Sequence, residues 1–278
     1  GAVAGTGTLA LSSGTATFNG ATSLATLTQS GGTLTGVGSV VLTGASNTWS
    51  GGAWAGGGLV RVASGANLAV SGSGASTAFE GRALDIVAGG SATFSGDLEV
   101  GLNVAGGVNA ISNAGSLTLA GGAGGGRLSH VFGNGGTVTL TNTGTITKTG
   151  AGTYTLGNSG GGVDLNNNGT LTVAAGRLVN FGAGSATSSG SLVLGAGGTS
   201  YEHAGGTQTF GAGSQVSGDA SSVLVTSGGV LNVNTATANY AQVGTLQATG
   251  GTLVVTPGVS VAQVLISGSG VASFTVAS

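Results

Sequence analysis

The chain has 278 residues, of which 62 are glycine, 40% are hydrophobic and only 4% are charged, for a formal net charge of −2; an ordinary globular domain carries ~7% glycine and about 25% charged residues. High hydrophobic content with almost no net charge is the reverse of the disordered-chain signature, so a folded chain is expected. Five basic residues, Arg61, Arg82, Arg127, Lys148 and Arg177, are too few to displace nucleic-acid counterions, and no apolar run approaches the ~20 residues of a spanning helix, which excludes a nucleic-acid partner and membrane insertion of this segment.

In chain order, the alternation of apolar and small polar residues first shows at Leu9-Ala10-Leu11, and its period of two predicts strands. Methionine and cysteine are absent, which excludes disulfides and thiolate metal sites; residues 1 to 20 also lack the basic and apolar stretches of a signal peptide, so a processed product or a fragment of a longer exoprotein is expected. Gly14-Thr15-Ala16-Thr17-Phe18 introduces a Gly-x-x-Thr-Phe/Leu motif that returns at Gly90, Gly152 and Gly206. Trp49 and Trp54 stand in a glycine-rich segment and are the candidate contact aromatics. Asp85 lies between Leu84 and Ile86, and Asp164 between Val163 and Leu165, which predicts carboxylates pointing out and apolar neighbours pointing in.

Asp97 and Glu99 flank Leu98 and share one face, the spacing a carboxylate pair needs to hold a substrate or Ca²⁺. The seven acids are scattered, however, and two solvated outer residues are the expectation there. Ile111-Ser112-Asn113-Ala114-Gly115, Leu140-Thr141-Asn142-Thr143-Gly144 and Leu165-Asn166-Asn167-Asn168-Gly169 align without a gap, and the interval between them is similar though not constant. The alignment predicts that Asn113, Asn142 and Asn167 stack at one corner as a structural ladder, while Leu117, Ile146 and Leu171 form a buried column. His130 and His203 are far apart in the chain and show no metal-ligand spacing, so no metal is expected. The pairs Thr137/Thr139, Thr145/Thr147, Thr153/Thr155 and Thr170/Thr172 resemble an ice-binding ladder, but their starting positions follow no constant step, so solubilising strand residues are expected.

Tyr201-Glu202-His203 is the densest titratable cluster, yet neighbours on a strand point to opposite sides and do not converge on a substrate. Phe18, Phe94, Phe181, Phe210 and Phe274 occupy apolar strand positions and are expected in the core. No charge follows Asp219 and Pro257 is the only proline, so the last coil, Val259 through Val276, is expected to present an open, neutral edge.

Read as three, two and two coils, the intervals between successive Gly-x-x-Thr motifs predict a degenerate repeat of about 25–30 residues. About ten such coils make one all-β parallel solenoid over residues 1–278, roughly 50 Å long at ~4.8 Å per coil.

Three segments, Gly32-Thr33-Leu34-Thr35-Gly36-Val37-Gly38-Ser39-Val40, Trp49-Ser50-Gly51-Gly52 and Gly65-Ala66-Asn67-Leu68-Ala69-Val70, are similar in style to filamentous-haemagglutinin-like exoproteins and autotransporter passengers, the repetitive surface proteins of bacteria. The resemblance is at the level of a class. It implies a right-handed parallel β-helix at a cell surface or in the matrix, with no transferable catalytic residues.

These readings together lead to a non-enzymatic extracellular structural protein, a shaft or fibre component that associates with itself end to end or side by side. No catalytic residue and no cofactor are assigned. The alternative is an adhesin module that binds a cell-surface glycan or protein through Trp49 and Trp54; a polysaccharide-cleaving enzyme and an ice-binding protein rank below it.

Overall fold

Strands of about four residues bounded by glycine cannot hold a sheet alone, so each must find its partners in the turns of chain before and after it. The computed structural model describes residues 3–72, 77–100, 108–130, 137–236, 239–241, 243–256 and 261–274, and within them every named element is a strand. The strands pair in parallel with their counterparts in the neighbouring coils, most of them with one coil earlier and one coil later, and the whole is a β-solenoid of about ten turns.

Three faces run the length of the stack. The first includes Ser39–Leu42, Leu59–Val62, Ala83–Ile86, Val108–Asn113, Thr137–Asn142 and Asp164–Asn167. The second includes Asn67–Val70, Ser91–Phe94, Ser116–Ala120, Thr145–Thr149 and Thr170–Val173. The third includes Thr77–Glu80, Asp97–Val100, Gly126–His130 and Thr153–Leu156. Long strands such as Arg177–Ser188 and Ser200–Phe210 serve the third face and then the first, with a register shift where they turn the corner at Asn180 to Ser185.

In-register stacking turns the alternating pattern into continuous internal columns. On the second face Ala92, Leu117, Ile146, Leu171 and Leu192 are successive register partners, all 0 to 1% exposed. Each buried Leu or Ile of this kind contributes about 1.5–3 kcal/mol relative to exposure, and it can do so only with a coil on either side.

Coil length is less uniform than the repeat expected from the motif intervals. Leu9 is the register partner of Leu27, and Leu246 of Val264, which makes the first and last described coils short. Leu98 pairs with Leu128, a far longer coil in the middle of the stack. The rungs are of nearly constant length because they must pair, whereas the corner loops are free to vary. The Gly-x-x-Thr motif misled for a related reason: Thr17 and Thr155 lie on the third face, Thr93 on the second and Thr209 on the first, so the motif marks a turn into a strand and not a fixed position in the coil.

Glycine is needed at several corners by contact and not by dihedral angle. A Cβ on Gly144 would lie 2.2 Å from the carbonyl oxygen of Gly115, and one on Gly169 would lie 2.2 Å from that of Gly144. Neither glycine has positive φ, so the left-handed region is not what requires glycine there. Coil backbones meet too closely there for any side chain.

Candidate functional site

The interior carries an unusual polar inventory, placed by the same register that builds the apolar columns. On the first face one column reads Leu42, Val62 and Ile86 and then continues as Asn113, Asn142 and Asn167. Asn113 Nδ2 donates to Asn142 Oδ1 at 2.7 Å, and Asn142 Nδ2 donates to Asn167 Oδ1 at 2.7 Å. The same amides donate across the corner to the carbonyls of Thr145 at 2.9 Å and Thr170 at 3.2 Å, and Asn167 Nδ2 reaches that of Ser191 at 2.9 Å. All three asparagines are buried, which leaves them no contact with an external ligand.

Trp49 and Trp54, expected as contact aromatics, are both fully buried. Their rings stack at 4.0 Å with 6° between planes, and Phe79 packs edge-on against both at 5.1 and 5.3 Å. Trp54 Nε1 donates to Gln29 Oε1 at 2.7 Å, and Trp49 Nε1 donates to the Gly52 carbonyl at 3.3 Å. The expectation is corrected: Trp49 faces inward on the second face and Trp54 on the third, so the two meet across the interior, and neither can touch a partner.

Two cations that the sequence offered only as part of a sparse basic supply are also internal. Arg82 is fully buried and donates to the carbonyls of Gly36, Ala55 and Gly38 at 3.0, 3.0 and 2.7 Å. Burial lowers its pKa to about 10. Lys148 is the register partner of Leu119 and Val173, and its ammonium donates to the carbonyls of Gly150 at 2.6 Å, Ala175 at 2.8 Å and Gly152; burial lowers its pKa as well. The signal was present in Ile146-Thr147-Lys148: with Ile146 inward, period two places Lys148 inward too.

The Tyr201-Glu202-His203 cluster divides as alternation requires. Tyr201 and His203 point inward and are fully buried, and the outward Glu202 is 5% exposed. His203 Nε2 bonds the Gly206 carbonyl at 3.2 Å, and desolvation holds the imidazole below its ordinary pKa. Asn180 lies one rung before His203 and Thr226 one rung after. Glu202 accepts from Ser227 Oγ and is ion-paired with Arg177.

The remaining acids point outward. Asp85 pairs with Arg61 at 2.9 Å and Asp97 with Arg127 at 3.1 Å, so each of these ion pairs joins one coil to the next. Asp164 accepts backbone N–H bonds from Ala183 and Gly184 at 3.0 and 2.9 Å. Glu99 is half-buried on the outer side of the third face with Asp97. Among the described residues no group of three or more His, Cys, Asp and Glu is placed to hold a metal ion, and no helix is long and apolar enough to cross a membrane. The side chains of His130 and Thr137, together with Pro257, Val259 and Val276, lie outside the described residues.

The Thr pairs spread over all three faces. Thr139 is on the first, Thr145/Thr147 and Thr170/Thr172 stack directly on the second, and Thr153/Thr155 are on the third. Of the phenylalanines, Phe94 and Phe210 are core; Phe18 packs partly buried against it, Phe181 is half-buried at the corner where the register shifts, and Phe274 is 38% exposed in the last described coil.

The outer surface that concentrates polar chemistry is the third face. One depression of about 300 Å³ is lined by Asp97, Arg127, Gly124 to Gly126, Thr153 and Thr155. A second, of about 360 Å³, is lined by Arg177, Ser200, Glu202, Val223, Val225 and Gln247 among others. Thr153 of the first is the register partner of Arg177 of the second, so the two depressions adjoin along the axis. The sequence could not reveal this, because Arg127, Thr155, Glu202 and Gln247 become neighbours only through coil lengths that vary. No family model matches the chain, and neither a curated protein nor a solved structure matches it.

Proposed function

We infer that the chain is a non-enzymatic structural segment of an extracellular or cell-surface protein, a solenoid shaft that extends by adding coil upon coil, including the end coil of a second copy. The observation that carries this reading is the last described coil. Val264 and Ile266 occupy the column positions of Leu246 and Ala248, yet they are 40% and 56% exposed against 0% for those two residues. On the first face Phe274 takes the column position of Val255 and is 38% exposed against 0%. Such a row is completed by a further coil, whether of the same protein or of a second copy.

The first coil offers a matching counterpart. Leu9, Ala16 and Phe18 pack against the core only in part, and they lie on the rows that a preceding coil would cover. Low net charge supports end-to-end contact, since little repulsion opposes it.

Sedimentation velocity over a hundredfold concentration range, with electron microscopy of the same samples, tests this. Rods that lengthen with concentration are expected. Ile266→Lys together with Phe274→Lys places two charges on the open inward rows and is expected to hold the protein as single rods. A parent protein that sediments as one unchanging monomer at every concentration refutes the reading.

A further inference from the structure

We propose that the outer side of the third face is a track for a linear, uncharged polysaccharide lying along the solenoid axis. Consecutive rungs carry Asp97, Arg127, Thr155, Val179, Glu202, Val225 and Gln247 on the outer side, each the register partner of the next; Val179, Glu202 and Val225 are recessed, at 6%, 5% and 9% exposed, while Arg127 and Arg177 stand out beside them. Six rung spacings of ~4.8 Å make this row roughly 29 Å long. Both depressions described above lie on it and adjoin.

The chemistry of the row selects the class of ligand. On a solenoid flank the backbone N–H and C=O groups are bonded to the rungs above and below, so a peptide cannot add as a strand there and recognition falls to side chains. The two half-exposed guanidinium groups, Arg127 at 47% and Arg177 at 49%, are each paired with a carboxylate, Asp97 and Glu202. The Asp97–Arg127 pair, its carboxylate 36% exposed, places a strong donor and a strong acceptor side by side with no net charge, whereas the buried Glu202, bonded to Ser227 Oγ, neutralises Arg177 and leaves its guanidinium as the donor there. The group that uses both at once is a hydroxyl, and a polymer that supplies hydroxyls at every step is a polysaccharide. Ser200 and Gln247 add weaker polar contacts, while Val223 and Val225 give an apolar floor for the C–H side of a sugar ring.

Charge narrows the class further. Glu99 stands on the same outer side as Asp97, so the track carries no positive excess, which disfavours an anionic polymer. The track does not depend on the shaft reading, because it uses the flank and not the ends.

Affinity electrophoresis of the whole chain in gels containing soluble starch, xylan, galactan or mannan, with polygalacturonate as the anionic counterpart, tests the assignment. Retardation by at least one neutral polymer and not by polygalacturonate is expected. Arg127→Ala together with Arg177→Ala is expected to weaken that retardation at least tenfold. Arg61→Ala is a matched control, since Arg61 is also 47% exposed and paired with a carboxylate, but on the first face; it is expected to leave the retardation unchanged. Gln247→Ala keeps both ion pairs and is expected to weaken binding several-fold, which decides the matter if the double variant is misfolded by circular dichroism. The proposal is overturned if no neutral polymer retards the chain, if polygalacturonate retards it as strongly, if Gln247→Ala has no effect, or if Arg61→Ala weakens binding as much as the double variant. Because self-association is read by sedimentation, each of the two proposals can fail while the other stands.

Discussion

Asn142→Leu removes the middle of the asparagine ladder while preserving bulk, in a column that already accepts Leu42, Val62 and Ile86. Asn113 Nδ2 loses one acceptor but keeps the Thr145 carbonyl at 2.9 Å. Asn167 Oδ1 loses its donor at 2.7 Å in a fully buried setting, and the carbonyls of Thr170 and Gly144 lose donors at 3.2 and 3.3 Å. An unpaired buried acceptor costs about 1–3 kcal/mol and each weaker bond ~0.5–1 kcal/mol, offset in part by the apolar gain of leucine, so a net loss of about 2–4 kcal/mol is expected. Urea unfolding followed by circular dichroism reads the loss as a lower midpoint. Asn113→Leu combined with Asn142→Leu should be less damaging than the sum of the two, by about 1–2 kcal/mol, because the bond between them is lost only once. A midpoint for Asn142→Leu equal to that of the parent, or strict additivity of the pair, refutes the argument.

Tryptophan emission is expected to be blue-shifted and resistant to acrylamide, because Trp49 and Trp54 are both fully buried; emission typical of solvated indole would contradict their placement. Gly169→Ala should prevent normal coil stacking, since its Cβ would meet the Gly144 carbonyl oxygen at 2.2 Å, whereas Gly57→Ala, with no heavy atom within 4 Å, should leave the unfolding midpoint almost unchanged. His203 is held neutral by burial, so its folded pKa lies below the ordinary ~6.5; its contribution to stability is present above the unfolded pKa and is lost as pH falls below that value toward the folded one. Stability measured from about pH 7 to 5 should therefore decline more steeply in the parent than in His203→Gln, and equal slopes would exclude His203 as a source of the decline.

The alternation in Leu117-Thr118-Leu119 and Leu171-Thr172-Val173 is a local property that any strand with one buried face must show, which is why strand and inward residue were legible without coordinates. The Asn-x-Gly segments were legible for a further reason: Asn113, Asn142 and Asn167 recur because each coil repeats one corner, and the repetition is written in the chain. Trp49 and Trp54 were misplaced because a glycine-rich context suggests an exposed loop, when the glycines instead let neighbouring backbones approach around a buried indole pair. Arg82 was missed although it is in phase with the inward Leu84 and Ile86, because a guanidinium is expected outside; what holds it inside is the carbonyls of Gly36, Gly38 and Ala55, all supplied by earlier coils.

Composition and period two by themselves determined an all-β stack, since residues with so much glycine, so few charges and so regular an alternation have no other way to bury apolar surface. Tertiary structure alone decided which rungs are neighbours. Corner loops of unequal length make the coil from Leu98 to Leu128 much longer than the one from Leu9 to Leu27, so the partners of a given outward side chain cannot be counted along the chain. The third-face track is a consequence: Arg127, Glu202 and Gln247 share a surface because hydrogen-bond register, summed over several coils, places them in one row.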